Sequence, residues 1–194
     1  MPPFRQSGVS PGRSRAVYAS GRRLEEAVPD ILANVVSKVP DAQVLGDLDA
    51  TAAWAAGNGG DADKLGITGF CWGGRVVWMY AAHNPKLAAG VAWYGNVAAA
   101  RVAGDKAEAA IEVADRIKRP MLALYGAADS GIPSDTIEKM MVALKAAGKT
   151  KSPLVLFPDA PHAFHADYRP SYRKEAAEDG WKRCLAWFKQ HGVA

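Results

Sequence analysis

Four short apolar runs punctuate the chain at 65–70, 87–94, 120–125 and 153–157, and each is bounded by glycine, proline or polar turn residues. Runs of this length without strict alternation read as strands buried on both faces, the pattern of a parallel sheet. Between them the period changes to a helical one. Val76, Val77, Tyr80 and Ala81 share one helix face in 73–82, and Ile137, Met140, Met141 and Leu144 share another, with Asp135 expected as its cap. A closing helix carries Trp181, Cys184, Leu185 and Phe188 on its apolar side. Before the first strand, an amphipathic segment around Val44, Leu48 and Trp54 stops at Gly57-Asn58-Gly59-Gly60. Strands alternating with helices predict an α/β domain with a mostly parallel sheet of about four strands flanked by helices.

The first strand ends abruptly in Gly69-Phe70-Cys71-Trp72-Gly73-Gly74. A residue framed by glycines between a strand and a helix is a nucleophile elbow, a turn so sharp that small neighbours are needed for the backbones to pass. Here the residue at the apex is a thiol. A cysteine at a helix N-terminus is favoured as thiolate by the helix dipole, and the thiolate is the nucleophile. Most free cysteines are small buried hydrophobes, but Cys71 has the whole strand, turn and helix frame around it.

Two later strands end in residues that fit this cysteine. Asp129 follows the run at 120–125 in Gly126-Ala127-Ala128-Asp129, and His162 follows the run at 153–157 in Asp159-Ala160-Pro161-His162. All three stand just past strand C-termini, the rim where open parallel sheets bind their ligands. The order nucleophile, acid, histidine is that of the α/β-hydrolases. Asp159 competes with Asp129 for the acid position, yet it shares one tight turn with His162. His165 competes for the base position, and His162 is preferred because it leaves the strand directly behind a proline.

Taken together, Gly-Phe-Cys-Trp-Gly-Gly, Tyr125-Gly126-Ala127-Ala128-Asp129 and Pro161-His162-Ala163-Phe164 resemble the dienelactone hydrolase (carboxymethylenebutenolidase) family of α/β-hydrolases over roughly 24–192. The resemblance implies Cys71 as nucleophile, His162 as base, Asp129 as the residue orienting it, and the backbone N–H of Trp72 as an oxyanion donor. It implies hydrolysis of a lactone or related activated ester without metal or organic cofactor. A substrate of this type carries a carboxylate, for which Arg169 is the candidate reader; the alternative for Arg169 is a solvated loop cation.

The family's first strands have no counterpart in this sequence, nor has the early loop that supplies the second oxyanion N–H. The expected fold is therefore an α/β-hydrolase shortened at its N-terminal side. Two other readings follow from the same residues: a thioester or carboxylester hydrolase with the same triad, and an inactive fragment that self-associates through an exposed sheet edge. The stretch 98–118 is expected to cover the site as a loop and short helix.

Composition adds a boundary. The segment 1–23 carries Arg5, Arg13, Arg15, Arg22 and Arg23 and no acid, and prolines, glycines and serines dominate it. It reads as a disordered basic tail ahead of a domain at 24–194. Its composition is also that of an organelle transit peptide, although the leucines and valines that would make it amphipathic are scarce. These five arginines exceed the whole chain's net charge of +4, so the remainder is close to neutral and offers no basic face for nucleic acid. Two cysteines make no disulfide framework and no zinc-ligand spacing. No run approaches a membrane span, and a cytoplasmic setting with a small-molecule substrate is the expectation.

Overall fold

The computed structural model describes residues 30–98, 108–148 and 152–194. The basic segment 1–23 lies outside them. The chain divides into a unit at Met1–Lys38 and a second at Val39–Ala194. In the first, the described residues form a helical turn at 30–34, where the N–H of Val35 donates to Ile31 O at 3.0 Å, and a 3-10 turn at Val36–Lys38.

The second unit is built on four parallel strands in the order β1 (Gly66–Phe70), β2 (Ala89–Trp93), β3 (Met121–Gly126), β4 (Leu154–Phe157). All four predicted runs are strands: three are trimmed at one or both ends, and the run at 120–125 is shifted by one residue to Met121–Gly126. β2 and β3 are buried at every position and consequently read as unbroken apolar sequence. β1 and β4 end the described sheet and are only partly covered.

Because side chains alternate across a strand, two glycines reveal what lies on each face. A Cβ on Gly90 would meet Val77 of α2 (Trp72–His83), whereas one on Gly66 would meet Phe188 of the closing helix. Gly90 pairs with Ile67 in register, so the two glycines point to opposite faces. The elbow helix α2 therefore covers one face, and the closing helix, α4 (Lys174–Gln190), covers the other. α1 (Asp41–Gly57) and α3 (Ser134–Ala146) complete the set.

α1 has no fully buried residue. Leu45 and Leu48 lean on the core, but Trp54 has rotated off that stripe and is 58 % exposed, contrary to the expected face. Two side-chain contacts hold α1 to α2: Asp41 accepts from both terminal guanidinium nitrogens of Arg75 at 2.7 and 2.8 Å, and Asp49 meets His83 Nε2 at 2.7 Å. Arg75 is 1 % exposed and also donates to Glu108 O, so its charge is compensated in the interior. Removing one partner of such a pair strands the other charge, which is why it is far more costly to break than to lack.

Two further expectations are corrected. Asp135 does not cap α3: the N-cap is Pro133, and Asp135 sits in the first turn paired with Lys139 at 2.9 Å. The buried face of α4 is Ala177, Gly180 and Cys184, while Trp181 and Leu185 are 43 % and 48 % exposed. Gly180 sets this rotation, since a Cβ there would meet the Trp93 ring at 2.6 Å. Within 98–118, residues 99–107 lie outside the described ones; the remainder includes a 3-10 turn, Ala110–Val113, packed against α2 and α3.

Candidate active site

Cys71 sits at φ 55°, ψ −118°, between β1 and α2. This left-handed backbone is costly for any residue with a Cβ and persists only where its surroundings over-determine it. Glycines allow that enclosure. A Cβ on Gly69 would lie 2.4 Å from Gly73 O, and one on Gly74 would lie 2.4 Å from Trp93 O and 3.0 Å from Gly95. The second essential glycine of the elbow is thus Gly74, which lets α2 start directly against the end of β2; Gly73 meets nothing nearby. Cys71 N–H donates to Trp93 O at 3.0 Å and locks the turn.

Asp129 and His162 come from the next loops along the rim, and those loops are tied to each other. Ala127 N–H donates to Phe157 O at 2.9 Å and Ala128 N–H to Ala160 O at 3.1 Å. Gly126 permits the approach, because a Cβ there would overlap Ala160 O. Asp129 is 4 % exposed; its Oδ1 accepts from the N–H groups of Gly131 and Ile132 at 2.9 and 3.2 Å, and its Oδ2 faces His162 Nδ1 at 2.7 Å. The other ring nitrogen, Nε2, lies 3.2 Å from Cys71 Sγ.

The three residues read from sequence therefore form one continuous chain of contacts. The electrostatics follow. Asp129 first, then Cys71, raise His162 to about 9 against the opposing effect of burial. Burial pushes the Cys71 thiol up, yet the bond to His162, its positive charge, the N–H of Trp72 and the charge of Arg169 outweigh it and bring the thiol below its ordinary value. A thiolate facing an imidazolium is the resting arrangement these shifts favour.

The competing residues are placed elsewhere. His165 stacks among Phe70, Trp93 and Trp181, and burial lowers its proton affinity. Asp159 lines a surface cleft with Arg173 and Glu175. Arg169 is half-buried over the Tyr168 ring, its Nε without a hydrogen-bond partner. Tyr94, missed from sequence, stands between these groups at the end of β2, packed against His162 at 5.2 Å between ring centroids. The rule that found Asp129 and His162, a residue just past a strand C-terminus, would also have found it.

A parallel sheet with helices on both faces and a glycine-framed elbow at its C-terminal rim is the α/β-hydrolase architecture. Within that class, the chain belongs to the dienelactone hydrolase family, whose sequence profile matches residues 16–192. It is 57 % identical over 172 residues to a Methylorubrum extorquens protein named "Putative carboxymethylenebutenolidase", covering 86 % of this chain and 57 % of that protein. An Escherichia coli K12 protein of the same name is 52 % identical over 169 residues, covering 85 % and 60 %. The crystal structure titled "Putative Dienelactone Hydrolase" from Klebsiella pneumoniae superposes with a TM-score of 0.79 at 53 % identity, covering 84 % of this chain and 67 % of that one. The chain thus spans less than two thirds of the length of these two curated relatives. No helix among the described residues is long and apolar enough to cross a membrane.

Proposed function

We propose that this chain hydrolyses a lactone or a related activated carboxylic ester with Cys71 as nucleophile, His162 as acid and base, and Asp129 as its orienting carboxylate. The observation that carries this is the unbroken contact from Sγ to Nε2 at 3.2 Å and from Nδ1 to Oδ2 at 2.7 Å, with the thiol lowered and the imidazole raised. The Cys71 thiolate attacks the carbonyl carbon, and the N–H of Trp72, which already faces the sulfur, donates to the oxyanion. As the tetrahedral intermediate collapses, the carbon–oxygen bond breaks and the imidazolium gives its proton to the leaving oxygen. His162, now neutral, takes a proton from water. The hydroxide adds to the thioester, and the acid leaves as the thiolate is restored.

Arg169 is assigned the substrate carboxylate, supported by its positive charge, which acts on Cys71, and by its unpartnered Nε. A small molecule is the partner this site suits. The outer edge of β1, unpaired among the described residues, is where a second copy would add, and light scattering of the purified chain tests that self-association. Both cysteines are free thiols, which supports a cytoplasmic setting.

The test is turnover of a dienelactone, beside a neutral aryl ester, by the chain and by Arg169→Ala. Turnover of both substrates, with a raised KM for the dienelactone alone in the variant, fits the proposal. Folded protein that turns over neither substrate would refute it.

A further inference from the structure

Among the described residues, three other than glycine hold a left-handed backbone: Cys71, Tyr94 and Ala163, at φ 55°, 35° and 60°. Such strain survives only where packing enforces it, and it clusters at working sites. Cys71 is the elbow, and Ala163 follows His162. Tyr94 has no part in the reaction as written above, although it occupies the neighbouring strand end.

Its placement is tightly determined. Tyr94 N–H donates to Leu124 O at 2.9 Å, and the preceding carbonyl, Trp93 O, receives the N–H of Cys71. Between these two anchors the chain makes its left-handed turn at Tyr94. The ring is 3 % exposed and meets the His162 imidazole in a T-shaped contact, with centroids 5.2 Å apart at 67°. Phe164 backs it at 5.2 Å and Phe70 at 6.0 Å. Burial, then the charge of Cys71, keep the phenol neutral. A residue that merely filled space at a strand end would take ordinary extended backbone; this one accepts strain to stand against the histidine.

We propose that Tyr94 is a positioning residue for His162: its buried ring walls the imidazole into the one plane in which Nδ1 meets Asp129 while Nε2 meets Cys71. Those two contacts alone leave the imidazole free to tilt about the axis joining its nitrogens, and a flat wall removes that freedom. The inference rests on the triad assignment above, so its test has a readout independent of ester turnover.

That readout is the pH dependence of Cys71 alkylation by iodoacetamide, which follows the thiolate set by His162, Arg169 and the N–H of Trp72. Tyr94→Leu should move the alkylation midpoint up toward that of an ordinary thiol and cut kcat about 10- to 100-fold with little change in KM. Tyr94→Phe, which keeps the ring, should return the midpoint to the wild-type value and recover most of the rate. If Tyr94→Leu does not fold by its thermal melt, Tyr94→Met, which also lacks a flat ring but has a flexible chain that adapts to irregular space, replaces it with the same expectation. An unmoved midpoint and kcat in the ringless variant would overturn the proposal. So would a Phe variant as impaired as the Leu one, because the hydroxyl would then carry the effect. A wild-type Cys71 that titrates as an ordinary thiol would instead refute the triad assignment.

Discussion

Cys71 and Cys184 are the same side chain in two regions of one sheet. Cys71 stands at the C-terminal rim, and Cys184 is sealed between α4 and the sheet beside Thr68. Burial resists ionisation at both. At Cys184 nothing of opposite charge answers it, and the thiol is pushed up to about 11. At Cys71 the histidine, the Trp72 N–H and Arg169 more than answer it. Reactivity here is set by what the fold places opposite the sulfur, and exposure alone does not decide it.

The comparison breaks most sharply under substitution of the two sulfurs. Cys71→Ala should lower kcat by about 10⁴-fold or more in an ester assay, with Cys71→Ser scarcely better because an alcohol does not ionise in that field. Cys184→Ala should turn over substrate as the wild type does. Equal losses in the two alanine variants would end the distinction. Next in size, His162→Ala should cost about 10³- to 10⁴-fold in kcat, while His165→Ala, which only loosens an aromatic stack, should cost a few-fold at most. The opposite ranking would move the base to the other histidine.

Titration sharpens the contrast further. Iodoacetamide should label Cys71 well below the pH at which ordinary thiols react, losing rate as falling pH protonates the depressed thiol, and should spare Cys184 in folded protein. His162 is raised, so its imidazolium persists up to about 9; turnover, which needs that proton for the leaving oxygen, should decline above this pH. The same shift adds stability that is fully present below the ordinary histidine value and is lost as pH rises through about 9. Smallest of all, Cys184→Ala should lower stability by about 1 kcal/mol in a denaturant melt, through lost packing alone.

The inner strands were legible because burial on both faces leaves apolar sequence with no alternation, as in Met121-Leu122-Ala123-Leu124-Tyr125. The elbow was legible because its glycines answer to backbone clearance, which leaves little choice of residue. Their division of labour was not: the sequence offers Gly73 and Gly74 alike, and only Gly74 is pressed on Trp93 O and Gly95. Contacts distant in sequence were invisible too. Nothing in one sequence pairs Asp41 with Arg75, and Asp135 looked like a cap because an acidic residue is favoured both at an N-cap and in the first turn, and here the helix has already begun at Ser134. The rotation of α4 escaped for a similar reason, since Gly180, with no apolar side chain, marks the buried face better than Trp181 does.

The stitching of the Asp129 and His162 loops through Ala127 and Ala128 has a consequence for anyone recombining this fold. The acid and the base descend from different strands, yet each loop supplies the hydrogen-bonding edge on which the other is laid. A crossover placed between β3 and β4 would join an acid loop from one parent to a histidine loop from another across a seam with clearance only for glycine at position 126. The two loops are therefore inherited as a single cassette, and functional chimaeras of this protein should keep their junctions outside it.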